Sequence, residues 1–167
     1  AGKVLAQSES GLLYFPNRLR VAGDTLMVAD NDHHRLVWLD VGGDKPSFKL
    51  ASAVHPSGHP QAAPMRSKVT DFAFAGAASD PAALWVLGVA QGQKSGQVLA
   101  YQGPGRKPLA RASLGAYDDP LWIDALGDAA IVGDFDGVAL LRVSARGEFL
   151  GEFGDAAFRR ELADSRD

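Results

Sequence analysis

The stretch PNRLRVAGD at residues 16–24 returns 104 residues later as PLWIDALGD at residues 120–128. The alignment continues without a gap, so that VADND at residues 28–32 falls on VGDFD at residues 132–136, and Gly43 falls on Gly147. Chance rarely aligns a proline, a Gly-Asp pair, an Asp-x-Asp pair and a second glycine in one register. The chain therefore contains an internal repeat.

A more divergent copy lies between these two, about 52 residues from each of them. Its four β-rich runs occupy residues 69–74, 84–88, 97–101 and 109–114, and an insertion at residues 77–81 is expected to lengthen one turn. The first unit has matching runs at residues 19–21, 25–30, 35–40 and 48–52, with a tight turn at Gly23-Asp24. Four short strands per repeat of this length indicate an all-β fold made of β-propeller blades, each of four antiparallel strands.

The stretch VADNDHHRLVWLD at residues 28–40 resembles an NHL repeat. That pattern has Val-Ala-Asp, a polar loop with a His-Arg pair, and an apolar strand that ends in Asp; the third unit has Val138-Ala139 where the pair would stand. The resemblance implies an NHL-type β-propeller, and the rings of that family resemble six-bladed propellers. The matching residues are Pro16, Asp30, His34, Arg35 and Leu36.

The repeat predicts a propeller segment over residues 1–154, with blades at about 10–54, 67–116 and 117–154. Residues 1–9 would supply the outer strand of a preceding blade, and residues 155–167 a short helical or frayed tail. Three blades do not close a ring, because the end blades would expose apolar sheet. We therefore expect a six-bladed ring, completed by a longer parent chain or by another subunit, for example by symmetric pairing of two three-bladed halves.

Composition narrows the classes of function. The 167 residues are 46% hydrophobic and 22% charged, which is typical of a globular protein, and the net charge of −3 argues against nucleic-acid and anionic-lipid partners. No apolar run is long enough to span a membrane. The absence of cysteine excludes disulfides, thiolate catalysis and cysteine-based zinc sites. The start at Ala1 fits either signal-peptide removal or a trimmed piece, so the compartment stays open, with a periplasmic or secreted location favoured over a cytoplasmic one.

The most chemically active stretch is the loop after the second predicted strand. Histidine and carboxylate side chains are suitable zinc ligands, but this cluster belongs to the repeat itself, so the preferred interpretation is that Asp30, His34 and Arg35 hydrogen-bond between strands and hold the loop. The candidate binding residues here are Asp30, Asn31, Asp32, His33, His34 and Arg35.

Two other loops offer candidate contacts. Asp134 and Asp136 place carboxylates two residues apart, as Asp30 and Asp32 do, but a calcium loop needs further ligands and a distal glutamate, so turn formation is the preferred interpretation. His55 and His59 lie in a proline-rich connection that excludes a helix and suits a surface loop reaching a partner.

These residues do not assemble a catalytic set, so we predict a non-catalytic protein-binding or scaffolding segment, with no cofactor. Its partner would be another protein, the remaining blades of the ring, or a second copy in a homo-oligomer. The alternative is an NHL-type propeller lyase or hydrolase, in which other blades complete a zinc or calcium site.

Overall fold

The structure, a computed structural model, describes residues 4, 7–43, 48–54, 68–77, 80–89, 95–102, 107–135 and 138–164. Blade 1 comprises β1 (Pro16–Ala22), β2 (Thr25–Asp30), β3 (Arg35–Asp40) and β4 (Lys49–Val54). Blade 2 comprises β5 (Lys68–Ala77), β6 (Asp80–Val89), β7 (Gly96–Gln102) and β8 (Lys107–Ser113). Blade 3 comprises β9 (Pro120–Leu126), β10 (Ala129–Asp134), β11 (Ala139–Ser144) and β12 (Phe149–Glu152), and α1 (Ala156–Asp164) follows it.

Each blade is a four-stranded antiparallel sheet whose strands pair in chain order, so every connection within a sheet is a hairpin. The predicted all-β architecture of propeller blades is confirmed. Glycines allow the tight turns: Gly23 and Gly127, which are equivalent in blades 1 and 3, both have a left-handed backbone, with φ of 57° and 61°.

The first strand of each blade has an irregularity in its pairing near its start. The shift lies between Pro16 and Arg18 in β1 and between Val69 and Asp71 in β5, while in β9 it lies opposite the step from Gly133 to Asp134. Beyond this bulge the pairing of β1 and β9 is regular, while β5 has a second shift between Ala75 and Gly76. The pairing sets which side chains of each first strand share a face.

Each sheet has a forward face, which looks toward the next blade in the chain, and a backward face. Alternation along the strands places the two sets of side chains on opposite sides. The forward face of blade 1 packs on the backward face of blade 2 in one cluster, which includes Trp38 and Phe72. The forward face of blade 2 packs on the backward face of blade 3 in a second cluster, which includes Trp85 and Ile123.

The backward face of blade 1 has no blade against it in the described part of the chain. Its buried residues Val28, Val37 and Leu39 are covered by nearby apolar residues of the same chain, Leu12 and Leu13 among them. Local segments therefore hide the middle of this face.

Helix α1 lies beside blade 3. Asp155 caps it, since the Phe158 backbone N–H donates to Asp155 Oδ1 over 2.9 Å. Phe158 stacks edge-on against Phe153, and Arg159 forms an ion pair with Glu152 of β12. None of the helical residues is buried. Within the described parts of the chain, no helix is both long and apolar enough to cross a membrane.

Two local expectations meet a different outcome. The insertion at residues 77–81 does not act only as a longer turn, because β5 and β6 extend through it until Ala77 pairs with Asp80. Of the strand expected at residues 1–9, only residues 4 and 7–9 are described, and none of them is in a strand.

A glycine pair tests the packing between blades 2 and 3. Gly147 has φ of 75°, and a β-carbon there would lie 2.8 Å from Ala110 Cβ and 3.1 Å from Ala100 Cβ. Gly127 also has positive φ, but a β-carbon there would meet no atom within 4 Å. We expect Gly127→Ala to lower the free energy of unfolding by about 1 kcal/mol through backbone strain alone, and Gly147→Ala to lower it by about 1–3 kcal/mol more through overpacking. Urea denaturation of both variants measures this, and equal losses would contradict the packing described.

Candidate functional site

The buried carboxylate of Asp30, at the end of β2, organises the loop that the sequence singled out. Its Oδ1 accepts a hydrogen bond of 2.6 Å from the Tyr14 backbone N–H. Its Oδ2 lies 2.8 Å from Arg35 Nε and 2.8 Å from His33 Nδ1. Because Asp30 is fully buried, these contacts replace the water that it loses on folding.

Arg35 extends this network to the segment before β1. It faces Asp30 in the pairing of β2 with β3, and its Nη2 donates a 2.7 Å hydrogen bond to the Leu12 carbonyl oxygen. The Asp32 backbone N–H donates to the Tyr14 carbonyl oxygen over 3.1 Å. The loop and the segment before β1 are thus fastened to each other by groups that would otherwise be available to a ligand.

The two histidines of this loop differ from the expectation, which gave His34 a part in holding the loop and treated His33 only as a candidate binding residue. His33, rather than His34, contacts the Asp30 carboxylate, while His34 adopts a left-handed backbone with φ of 55° and closes the turn through its N–H to the Asn31 carbonyl oxygen. Val138, the residue equivalent to His34 in blade 3, has φ of 46°. The left-handed turn is therefore common to both blades, whatever residue occupies it. Asn31 Oδ1 and His34 Nδ1 are buried without a hydrogen-bond partner in the described structure.

Asp134 has the equivalent position in blade 3. It is also buried, and its Oδ1 accepts a 3.0 Å hydrogen bond from the Asp119 backbone N–H, just before β9. Asp30 and Asp134 thus perform the same task, which is to hold the segment that leads into the first strand of their blade. Asp136, His55 and His59 lie outside the described residues.

The metal interpretation of these loops stays a prediction, since some of its candidate ligands lie outside the described residues. Among the described residues, no group of three or more histidine, aspartate or glutamate side chains is close enough to hold a metal ion.

A second polar cluster, which sequence reasoning missed, lies where the first strands of the three blades meet. Its centre is Asp71 of β5, which is almost fully buried. Asp71 Oδ1 accepts a hydrogen bond from its neighbour Phe72 N over 2.8 Å, and Oδ2 accepts one from Ile123 N of β9 over 3.0 Å. The carboxylate thereby joins blade 2 to the exposed backbone edge of blade 3.

Arg20 of β1 joins all three blades. Its Nε donates to the Phe72 carbonyl oxygen and its Nη2 to the Ile123 carbonyl oxygen, both over 3.0 Å. Its guanidinium lies over the Phe72 ring, 5.7 Å from the centroid. With sequence separations of 52 and 103 residues, these contacts join β1 to the first strands of the other two blades.

Burial and the neighbouring charges have opposing effects on the Asp71 carboxylate. Arg18 Nε lies 3.6 Å from Asp71 Oδ2 and Arg20 Nη2 lies 4.0 Å from Oδ1. Burial raises the pKa of Asp71 above its ordinary value, against the opposing effect of the two backbone hydrogen bonds and the two arginines. Beside the cluster is a small pocket of about 230 Å³, lined in part by Arg18, Asp71, Trp122 and Asp124.

The 104-residue repeat relates Arg18 to Trp122, whereas the equivalence of Asp71 is visible only in the strand pairing. Arg18, Asp71 and Trp122 are equivalent in the three blades, since they pair with the equivalent positions Ala29, Leu87 and Gly133 on the second strands. A charged or amphipathic residue at the same point of an otherwise apolar unit marks a shared position near the meeting of the first strands.

Comparisons with known proteins support the fold. No family model and no curated protein matches the chain. Among solved structures, hydrazine synthase from Kuenenia stuttgartiensis, a β-propeller structure, is 17% identical with a TM-score of 0.60, over 93% of this chain and 40% of that one. A protein of unknown function from Bacteroides caccae is 10% identical with a TM-score of 0.54, over 87% of this chain and 47% of that one. The chain thus spans less than half the length of each of these structures, and the likeness concerns the fold alone.

Removing the Arg20 guanidinium should loosen all three blades at once. We expect Arg20→Ala to lower the free energy of unfolding by about 2–4 kcal/mol, because two hydrogen bonds from a charged donor and the stacking on Phe72 are lost together. Arg146→Ala, at an exposed position in the turn before β12, is the matched control and should change stability by less than about 0.5 kcal/mol. Chemical denaturation of both variants provides the measurement, and comparable effects would contradict the role of Arg20.

The raised pKa of Asp71 has a consequence for the pH dependence of stability. A carboxyl whose pKa is higher in the folded state binds protons more strongly there, so its contribution is fully present at low pH and declines as the pH rises through the folded-state value. We therefore expect the stability difference between the native chain and Asp71→Asn to shift against the native chain as the pH rises above about 4. Denaturation of both proteins from acid to neutral pH tests this; a difference that grows in favour of the native chain would contradict it.

Proposed function

We propose that this chain is a non-catalytic protein-binding or scaffolding segment of an NHL-type β-propeller, and that it works within a larger assembly whose further blades complete a six-bladed ring. The observation that carries the proposal is the contrast between its two kinds of surface. Asp30, Arg35 and Asp134 are engaged within the chain, whereas apolar side chains are exposed at the outward faces of the two end blades.

The loop residues support a structural role for the repeat motif. Asp30 and Arg35, both matches to the NHL pattern, contact each other and the segment before β1. Asp134 repeats the arrangement in blade 3. Because these residues hold the blade together, we expect a partner to cover the exposed apolar surface of the sheet faces.

The exposed apolar residues at the ends are large. Leu19 and Val21 on blade 1 are 59% and 68% exposed, and Leu126 on blade 3 is 51% exposed. Apolar side chains concentrated at the edge of a repeat array are typical of surfaces that another repeat or protein covers. The β-propeller structure of hydrazine synthase is also more than twice as long as the part that this chain matches, which supports further blades beside these three.

Site-specific photocrosslinking tests the proposal in the native assembly. A photoreactive phenylalanine derivative replaces Leu19 or Leu126, and the matched control carries it at Leu109, which is 47% exposed on the outer strand of blade 2. We expect protein crosslinks from Leu19 and Leu126 because a partner covers these faces, and few from Leu109. Mass spectrometry of the crosslinked peptides identifies the neighbour, and the absence of crosslinks at both end positions would refute the proposal.

A further inference from the structure

Equivalent positions on the backward faces of the three blades differ sharply in exposure. Leu19, Phe72 and Ile123 pair with the equivalent residues Val28, Val86 and Val132 on their second strands. Phe72 and Ile123 are fully buried by the preceding blade, whereas Leu19 is 59% exposed. Leu19 therefore occupies a position that is buried between blades in the other two units.

The next pair of positions repeats this contrast. Val21 is 68% exposed, while its counterparts Phe74 and Ala125 are partly buried against the preceding blade. We call Leu19 and Val21 the backward strip of blade 1. The middle of the same face is already covered by Leu12 and Leu13, so the uncovered part lies along the innermost strand.

The forward face of blade 3 carries the complementary strip. Ala22 and Ala75 pack within the blade 1–2 and blade 2–3 interfaces, and their counterpart Leu126 is exposed. Trp122, the counterpart of Arg18 and Asp71, is 38% exposed. We call Trp122, Asp124 and Leu126 the forward strip of blade 3. An apolar pocket of about 410 Å³, bounded by Trp122, Leu140 and Leu162 of α1, continues it.

The two internal interfaces also share a polar contact. In each, a charged side chain on the forward face bonds to the backbone edge of the next blade's first strand: Arg20 to the Phe72 carbonyl oxygen, and Asp71 to the Ile123 N–H. Phe72 and Ile123 are the counterparts of Leu19. The first strand is the edge of its sheet in every blade, so its outward backbone groups are open to such contacts.

Asp124 has the local arrangement that Asp71 uses to contact the backbone of the next blade. Its Oδ1 accepts a 2.9 Å hydrogen bond from the next residue's N–H, as Asp71 Oδ1 does over 2.8 Å. Asp71 uses its other oxygen, Oδ2, to reach the next blade. In Asp124 that oxygen has no hydrogen-bond partner among the described residues, although Arg20 lies 3.8 Å from Oδ1.

From these correspondences we infer that the backward strip of blade 1 and the forward strip of blade 3 are two halves of one interface, and that the occupant is a second copy of this chain. Blade 3 of one copy packs on blade 1 of the other, with Leu126 and Trp122 against Leu19 and Val21, and Asp124 Oδ2 accepts a hydrogen bond from the edge of β1. Each chain carries both halves, so two copies form two such contacts around a two-fold axis, giving six blades in total. The inference rests on the proposed function, since it names the protein that covers the end faces.

The test is the mass of the 167-residue chain in solution, measured by sedimentation equilibrium. We expect a dimer with twice the chain mass of 17.6 kDa. Leu19→Asp and Leu126→Asp should each weaken dimerisation by about 30-fold or more, because each places a charge in both contacts of the dimer. Leu109→Asp is the matched control on blade 2 and should dimerise as the native chain does. All three substituted positions are exposed, and circular dichroism with thermal melting verifies that each variant folds.

Mixing the two end variants tests the head-to-tail geometry. Leu19→Asp retains a native forward strip and Leu126→Asp retains a native backward strip, so the mixture can form one undamaged contact and should associate more tightly than either variant alone. A monomeric native chain overturns the inference, as does a dimer that resists both substitutions or one that only Leu19→Asp weakens. If the native chain is monomeric while Leu19 crosslinks to a different protein, the proposed function stands and only the second copy is excluded.

Discussion

Each sheet in this chain carries apolar side chains on both of its faces, and a four-stranded sheet cannot cover either of them by itself. Blade 2 meets this constraint fully, because its two faces form the two large clusters of the core. Among the described residues, blades 1 and 3 pack against another blade on one side only. On the other side they rely on short neighbouring segments, namely Leu12 and Leu13 before β1 and the helix after β12.

The polar contacts follow from the same constraint. Sheets that pack face to face also bring their first strands together, where backbone groups point outward without sheet partners. Arg20 and Asp71 satisfy these groups, and they do so from positions that would otherwise belong to the apolar face. Arg20 by itself joins three sheets that are far apart in sequence. Because the cluster needs residues from all three blades, it cannot be found within a single repeat.

The strands were predictable because alternation and turn residues are local properties. The all-β architecture, the order of strands and the turns at Gly23 and Gly127 follow from them. The register of the middle blade was harder to predict from the sequence. An average spacing of about 52 residues conceals that the distance from the first repeat to the second differs from the distance from the second to the third. The bulges fix the equivalence at Arg18, Asp71 and Trp122, and a bulge leaves little trace in sequence.

The loop residues were singled out from the sequence, and their candidate binding role stays a prediction. Charge density drew attention to Asp30 and Arg35, and their contact across β2 and β3 agrees with a role in holding the loop. The contact of His33 rather than His34 with Asp30 could not be foreseen, since it depends on which residue takes the left-handed backbone. The cluster around Asp71 required three distant strands to be in place, so its residues looked like ordinary charged positions in strands.

The tryptophans give the chain an optical property that its architecture makes useful. Trp38 is buried between blades 1 and 2, and Trp85 is buried between blades 2 and 3, where its indole N–H donates to the Ser144 carbonyl oxygen over 2.9 Å. Trp122 stands on the outward face of blade 3, partly in solvent. The chain has three tryptophans in all, so each of the two boundaries between blades contains one fluorophore and the third lies on the outward face of blade 3. Emission from single-tryptophan versions would therefore register the separation of each boundary individually, and would resolve whether the array comes apart blade by blade or all at once.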